Sequence, residues 1–118
     1  MTFGVSVSDA RARAPVPGFA EVFRRGSLSV ELYRPRGHDP QSPHMQDELY
    51  VVVSGSGTYL CAGERRDFTP GDVLFAPAGA DHRFEAFTDD LEVWVIFYGP
   101  VGGERPGGRT VLGVEVPE

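Results

Sequence analysis

The sequence has a single cysteine, Cys61, among its 118 residues. One thiol cannot form an internal disulfide framework, and it cannot build a thiol-rich metal site. The N-terminal segment lacks the apolar core of a signal peptide, and no later stretch approaches the roughly 18 apolar residues of a membrane span. These absences lead us to expect a reducing, cytoplasmic setting and no membrane partner.

Positive charge is also scarce in this sequence. The formal net charge is -6, the arginines are scattered, and there is no run of lysines. A protein that binds a phosphate backbone needs a basic patch, so we expect no nucleic-acid partner. Hydrophobic residues make up 41% of the chain and aromatic residues 11%, which is typical of a folded globular protein. The length suits a single hydrophobic core.

Long helical patterns are absent as well, and short β-prone runs bounded by Gly, Pro, Asp or Ser take their place. The runs are SLSVELY, LYVVVSG, TYLCAG, DVLFAPAG, HRFEAF and LEVWVIFYG. Such closely spaced strands predict an all-β, antiparallel sandwich or barrel. The segment GERRDF is interpreted as a charged hairpin, and residues 69–72 as a type II turn with Gly71 at positive φ. Pro77 should end a strand because it has no amide hydrogen.

Glycine and proline are concentrated toward both ends of the chain, where they disfavour helix interiors and central strands. We therefore divide one domain into an N-terminal arm and first strand region (1–26), a barrel (27–98) and a Gly/Pro-rich C-terminal arm (99–118). The apolar strand VWVIFYG and the glycine-rich arms are candidates for pairing across a two-fold axis. We expect a homodimer.

Histidine and glutamate are common metal ligands, and one of each, His44 and Glu48, comes just before the apolar run LYVVV. In a flat strand their α-carbons would lie roughly 13 Å apart, at about 3.3 Å per residue. Metal bonds of roughly 2 Å would therefore require the chain to bend between these two residues, with Glu48 starting the next strand. His82, which follows a predicted turn, is the third candidate ligand. Two imidazoles and one carboxylate suit a divalent Fe, Mn, Ni or Zn ion and leave coordination positions open.

At these residues the sequence resembles the cupin family. The second cupin motif reads glycine, five residues, proline, one, glycine, two, histidine, three, asparagine. Its positions are filled here by Gly71, Pro77, Gly79, His82 and, where asparagine is usual, Ala86.

The first cupin motif is matched in its second half. Glu48 and Gly55 have the required spacing, and His44 stands at the place of the family's second histidine. Ser42 replaces the first histidine, and the leading glycine comes one residue late, as Gly37. The resemblance to the family covers about residues 27 to 98.

The resemblance implies an antiparallel double-stranded β-helix, the jelly-roll barrel of cupins. Members of this family include dioxygenases, isomerases, lyases, sensors and storage proteins, so the fold alone does not specify a reaction. Our first hypothesis is a cupin that binds one divalent transition metal ion and acts on a small organic molecule, possible reactions being dioxygenase-, isomerase- or lyase-like. The alternative is a non-catalytic module that binds a metal or a small ligand.

Further residues are assigned around the expected metal site. Tyr50 and Gln46 are candidates for hydrogen bonding or proton transfer beside the metal. A fourth ligand is left open between Gln46, His38 and water. Alternate residues of a strand share a face. Tyr50, Val52 and Ser54 should therefore lie on the same face as Glu48 and line the interior of the barrel. An apolar pocket around the metal is assigned to Phe75, Phe84 and Trp94.

Overall fold

A computed structural model describes residues 3–105 and 107–117. Over these residues the chain forms one helix and ten strands. Their order is α1 (Val7–Arg13), β1 (Gly18–Arg25), β2 (Leu28–Arg34), β3 (Asp47–Ser54), β4 (Gly57–Cys61), β5 (Glu64–Phe68), β6 (Val73–Ala76), β7 (His82–Glu85), β8 (Glu92–Tyr98), β9 (Thr110–Val111) and β10 (Val114–Glu115).

The strands form two main antiparallel sheets, with strand orders β1-β2-β8-β3-β6 and β5-β4-β7. The short strands β9 and β10 pair with each other. Each of the β-prone runs in the sequence contains an observed strand. The prediction of an all-β, antiparallel jelly roll is confirmed.

The main core lies between the two sheets and combines aromatic rings with aliphatic side chains. Tyr50 of the larger sheet and Phe84 of the smaller one are almost completely buried, and their ring centroids lie 4.9 Å apart at a steep interplanar angle of 70°. Phe68 packs edge-on against Phe84. Edge-to-face pairs of this kind contribute roughly 0.5–1.5 kcal/mol each beyond their buried area. The Tyr50–Phe84 contact therefore joins the two sheets, whereas the Phe68–Phe84 contact lies within the smaller one.

Strand β3 alternates as predicted only as far as Val52, which is buried together with Tyr50. The pairing register with β8 shifts between Val52 and Ser54, as happens at a β-bulge. Ser54 is consequently half-buried, and its hydroxyl donates to the Asp90 carbonyl oxygen and to Glu92.

The helix α1 covers the outer face of the larger sheet. Its Ala10 is completely buried together with Leu32 of β2, and Trp94 packs against the same cluster. The helix begins after Ser6, whose side chain accepts a hydrogen bond from the Asp9 amide, an ordinary N-cap. This helix has seven residues, and no helix in the described ranges is long and apolar enough to cross a membrane.

The turn at residues 69–72 and the end of β6 are as predicted, whereas the position of β8 is not. Gly71 has φ of +91° and Asp72 N donates to Thr69 O, as in a type II turn. Strand β6 ends at Ala76, directly before Pro77. The proposed edge pairing through VWVIFYG is wrong, because β8 lies between β2 and β3 and both of its sides are already hydrogen-bonded.

Candidate metal centre

Glu48 is the second residue of β3 and points into the interior, where it is 1% exposed. His44 lies in the preceding loop, and the chain bends at Met45 and Gln46 before the strand begins. This bend is the feature that shortens the roughly 13 Å separation of a flat strand.

Hydrogen bonds from distant segments hold the bend in place. The Gly79 amide donates to the His44 carbonyl oxygen at 2.7 Å, and the Gly102 amide donates to the Met45 carbonyl oxygen at 2.6 Å. The Gln46 side-chain amide donates to the carbonyl oxygens of Ser27 and Gly99. The loop conformation is therefore fixed by tertiary contacts.

His82 is the first residue of β7 and follows a turn that carries the second cupin-like motif. Ala80 N donates to Pro77 O at 3.0 Å, and Gly79 has φ of +79°, a conformation that favours glycine. The Nδ1 atom of His82 lies 2.9 Å from the Ala80 carbonyl oxygen. When Nδ1 carries the proton and donates it there, the lone pair of Nε2 is free for a metal ion.

The three side chains converge on one region. One donor atom from each of His44, Glu48 and His82 can be chosen so that all three lie within 4.8 Å of one another. Oε1 of Glu48 is 3.0 Å from His82 Nε2 and 3.9 Å from His44 Nε2. Two ligand atoms bound to one ion at about 2.1 Å and at right angles are separated by about 3.0 Å. The spacing therefore fits a shared ion.

The polar atoms of this cluster are buried and lack ordinary partners. Both carboxylate oxygens of Glu48 and Nε2 of His82 have no hydrogen bond to any described residue, although Glu48 and His82 are close enough for one. Burying such groups without partners is unfavourable, and a cation bound between them would satisfy all three atoms. The residues present therefore fit a divalent metal ion.

The charge environment raises the pKa of His82. Burial lowers this pKa, but the Glu48 carboxylate and the Ala80 carbonyl oxygen together raise it more, so the net shift is upward. A metal ion bound at His82 Nε2 would therefore compete with a proton.

A cavity of about 560 Å³ opens beside His44 and Glu48. Its walls are largely apolar, and its polar groups come mainly from β2 and from the loop before β3. The lining residues are Pro17, Gly18, Phe19, Glu31, Tyr33, Pro35, Arg36, His38, Pro40, Gln41, Ser42, His44, Glu48, Val95 and Phe97. Its size and apolar walls are those of a small-molecule site.

Glu31 is a cavity residue that the sequence analysis did not identify. Burial and then the nearby Glu48 charge raise the pKa of its carboxyl group to about 6. The alternation of β2 would have placed it on one face of the strand, but the sequence does not show that this face lines a cavity.

The three residues assigned to an apolar pocket do not line the cavity beside His44 and Glu48. Phe84 is in the aromatic core, Trp94 packs under α1, and Phe75 lines clefts away from His44. The apolar walls near His44 come instead from other residues, among them Phe97, whose ring centroid is 5.0 Å from that of His44.

The other assigned residues have distinct environments. Gln46 is held by Ser27 and Gly99, as described above. His38 is exposed at the cavity. Tyr50 donates its hydroxyl to Gln41 Oε1 at 2.8 Å. Burial and then the Glu48 charge raise the pKa of Tyr50 well above its ordinary value, so this side chain is a hydrogen-bond donor at neutral pH.

Two further residues missed in the sequence, Asp39 and Gln41, form a polar chain beside the site. Gln41 Nε2 donates to Asp39 Oδ2 at 2.7 Å, and the Phe84 amide donates to the same oxygen at 2.8 Å. Tyr33 donates its hydroxyl to Asp39 Oδ1. Both missed residues flank Pro40 just ahead of His44, but only the folded loop turns them inward.

Comparison with known proteins agrees with this architecture. A family model described as the cupin domain matches residues 29–97. An uncharacterized protein of Streptomyces coelicolor is 34% identical over 100 residues, which are 83% of this chain and 95% of the relative.

Solved structures show the same likeness. KdgF from a Halomonas species is 26% identical with a TM-score of 0.60, over 68% of this chain and 76% of the other. A candidate mannose-6-phosphate isomerase from Ralstonia eutropha is 33% identical with a TM-score of 0.54, over 74% of this chain and 91% of the other. The chain therefore belongs to the cupin family.

Proposed function

We propose that this cupin holds one divalent transition metal ion, Fe, Mn, Ni or Zn, through His44, Glu48 and His82 and acts on a small organic molecule. The observation that carries the proposal is the buried set of unpartnered atoms on Glu48 and His82 beside a cavity. A carboxylate without partners destabilises a purely structural core. Its presence at the cavity is explained by a bound cation.

Such an ion, when bound, supplies Lewis-acid polarisation of a carbonyl or enolate oxygen or, if it is iron, redox chemistry with dioxygen. The protein's own residues contribute the rest. The apolar walls exclude water around the bound molecule, which strengthens polar contacts in the cavity. Glu31, with a pKa of about 6, is placed to exchange a proton with a cavity ligand near neutral pH.

The possible reactions are dioxygenase-, isomerase- or lyase-like. The 33% identity to a candidate mannose-6-phosphate isomerase, over 74% of this chain, supports an isomerase among them. The apolar character of the cavity supports a substrate with a substantial hydrophobic part.

A non-catalytic metal- or ligand-binding role is the second candidate. It is favoured by Ser42, which is exposed and stands where the family's first histidine is usual. Loss of one imidazole removes a strong donor from the site and fits a module that binds without turnover.

Metal content decides whether the site exists. We expect elemental analysis of protein purified without added metal to find about one transition metal ion per chain. A His82→Ala variant should carry little, while His38→Ala should match the wild type because His38 is outside the ligand cluster. A wild type that takes up none of Fe, Mn, Ni or Zn on dialysis would rule the proposal out.

Turnover separates the two candidate functions. The metal-loaded protein should be screened for oxygen uptake with small phenols, diketones and thiols, and for isomerisation or elimination by proton NMR. Metal-dependent product formation that His82→Ala loses supports an enzyme. Stoichiometric metal without turnover supports the binding module.

We also propose that the protein is a cytoplasmic homodimer. Strand β1 is an edge of the larger sheet, and no described strand pairs with its outer side. Phe19 and Phe23 on this strand are 57% and 40% exposed, so a second copy has both backbone and apolar groups to contact. Light scattering coupled to size exclusion should give twice the chain mass, and a monomer mass would contradict it.

A further inference from the structure

We propose that Gln41 provides a side-chain oxygen to the metal site, in place of the imidazole that cupins usually have at the position of Ser42. This inference rests on the proposed function, because it concerns the same metal ion. It assigns a role to a residue outside both motifs.

The orientation of the Gln41 amide is set by Asp39. A carboxylate only accepts hydrogen bonds, so the amide group facing Asp39 Oδ2 at 2.7 Å must be the NH2. Asp39 is itself 7% exposed and is held by the Phe84 amide and the Tyr33 hydroxyl. The amide oxygen is therefore turned away from Asp39.

The Gln41 amide oxygen lies beside one of the candidate ligands, His44. Gln41 Oε1 lies 3.4 Å from Nε2 of His44, and it accepts a hydrogen bond from the Tyr50 hydroxyl at 2.8 Å. Two donors bound to one ion at about 2.1 Å and at a tetrahedral angle are separated by about 3.4 Å. A carbonyl oxygen has two lone pairs. Tyr50 occupies one, and the other is left for an ion when His44 Nε2 is a ligand and does not donate a hydrogen bond to this oxygen.

The loop presents this oxygen in advance. Pro40 and Pro43 on either side of Gln41 each restrict φ, and the Asp39 contact restricts the side chain. A donor ordered before the ligand arrives loses less conformational freedom on binding. The resulting set of two imidazoles, one carboxylate and one amide oxygen is richer in oxygen than the usual cupin set, and oxygen donors suit Mn(II).

Metal titrations of variants test the role of Gln41. Dissociation constants for Mn(II) and Co(II) should be measured by calorimetry on metal-free protein, together with the visible spectrum of the Co(II) form. We expect Gln41→Leu to weaken binding by about 10- to 100-fold and to change the Co(II) spectrum. Gln41→His should shift the preference from Mn(II) toward Co(II).

Tyr50→Phe is the matched control, because it removes a contact to the same oxygen without removing the oxygen. It should change metal affinity only a few-fold and leave the Co(II) spectrum near that of the wild type. Gln41→Ala carries the same expectation as Gln41→Leu and decides the matter if the leucine variant does not fold. Wild-type affinity and spectrum in the folded leucine or alanine variant would overturn this inference alone. Failure of the wild type to bind any metal would overturn the proposed function as well.

Discussion

The Nε2 atom of His82 lies 3.0 Å from Oε1 of Glu48, and neither atom has a hydrogen-bond partner in the described part of the chain. Two buried polar groups at this distance would normally turn toward each other. Here the strands and turns hold both side chains, and a donor atom of His44 lies within 4.8 Å of each of them. Leaving these atoms without hydrogen bonds is unfavourable for the metal-free protein, and a cation bound at the proposed site would satisfy them.

Replacing Glu48 with glutamine should separate stability from metal binding. We expect metal-free Glu48→Gln to unfold at a temperature no lower than the wild type at pH 8, because a buried carboxylate whose oxygens make no hydrogen bond to a described residue is replaced by a neutral amide. Metal affinity should fall by at least about 100-fold. Thermal unfolding with and without added metal measures both effects.

Saturating metal provides the control for this comparison. Metal at 100 times its dissociation constant should stabilise the wild type by about 2.7 kcal/mol and should leave Glu48→Gln nearly unchanged. Equal stabilisation of the two proteins would show that the ion binds elsewhere.

Gly55 should be far less replaceable than another glycine with the same backbone conformation. Gly55 and Gly63 have φ of +86° and +84°. A Cβ at Gly55 would lie 2.6 Å from the Leu91 α-carbon, whereas at Gly63 it would meet no described atom within 4 Å. We expect Gly63→Ala to cost about 1 kcal/mol from φ strain and Gly55→Ala about 3 kcal/mol or more.

Urea unfolding of the two alanine variants measures this difference. Equal losses would mean that backbone strain alone explains the glycine at position 55. A larger loss at Gly55 would assign this motif glycine to the close approach of β3's end to the segment before β8.

The strands were predictable where apolar alternation was strong, and less so elsewhere. β1 and β5 carry many charged or exposed residues, so their periodicity is weak, and pairing to β2 and β4 is what makes them strands. The helix α1 is only seven residues long, and its stability comes from packing Ala10 against Leu32. Such tertiary stabilisation leaves little local signal.

The candidate site shows the same division. Motif spacing identified His44, Glu48 and His82 because turns with fixed glycines and prolines determine their register. Gln41 and Asp39 have no such spacing, since their positions depend on hydrogen bonds to Tyr50 and Phe84. The assignment of Trp94 to the pocket could not anticipate that α1 would cover that face of the sheet.

Glu92, through its contacts with two arginines, should make the free energy of unfolding depend on pH. Hydrogen bonds from Arg11 lower the pKa of Glu92, with burial opposing them, and Arg34 Nε lies 3.0 Å from Oε2. A lowered pKa contributes stability above the unfolded value of about 4.5, and this contribution is lost as the pH falls through the folded value. We expect Glu92→Gln to lose about 1–3 kcal/mol at pH 7 and progressively less below pH 4.5.

Urea unfolding at pH 7, 5 and 3 would follow this change. Glu85→Gln is the matched control, since the Glu85 pKa is also lowered by arginine, but the pair is on the surface. Exposed pairs contribute little, so its effect should be much smaller. A pH-independent loss in Glu92→Gln would instead indicate a packing effect.

Glu31 should have the opposite pH dependence in the metal-free protein. Burial and the Glu48 charge raise its pKa from 4.5 to about 6, so ionisation opposes folding above that range and not below it. Glu31→Gln should therefore stabilise the protein by about 1–2 kcal/mol at pH 8. The gain should decline as the pH falls from about 6 toward 4.5, and vanish at pH 4.

Urea unfolding at these pH values tests this, with the exposed Glu64→Gln as control. Because part of the shift comes from Glu48, the gain should shrink when Glu48→Gln is also present, and an undiminished gain would mean that burial alone raises the Glu31 pKa.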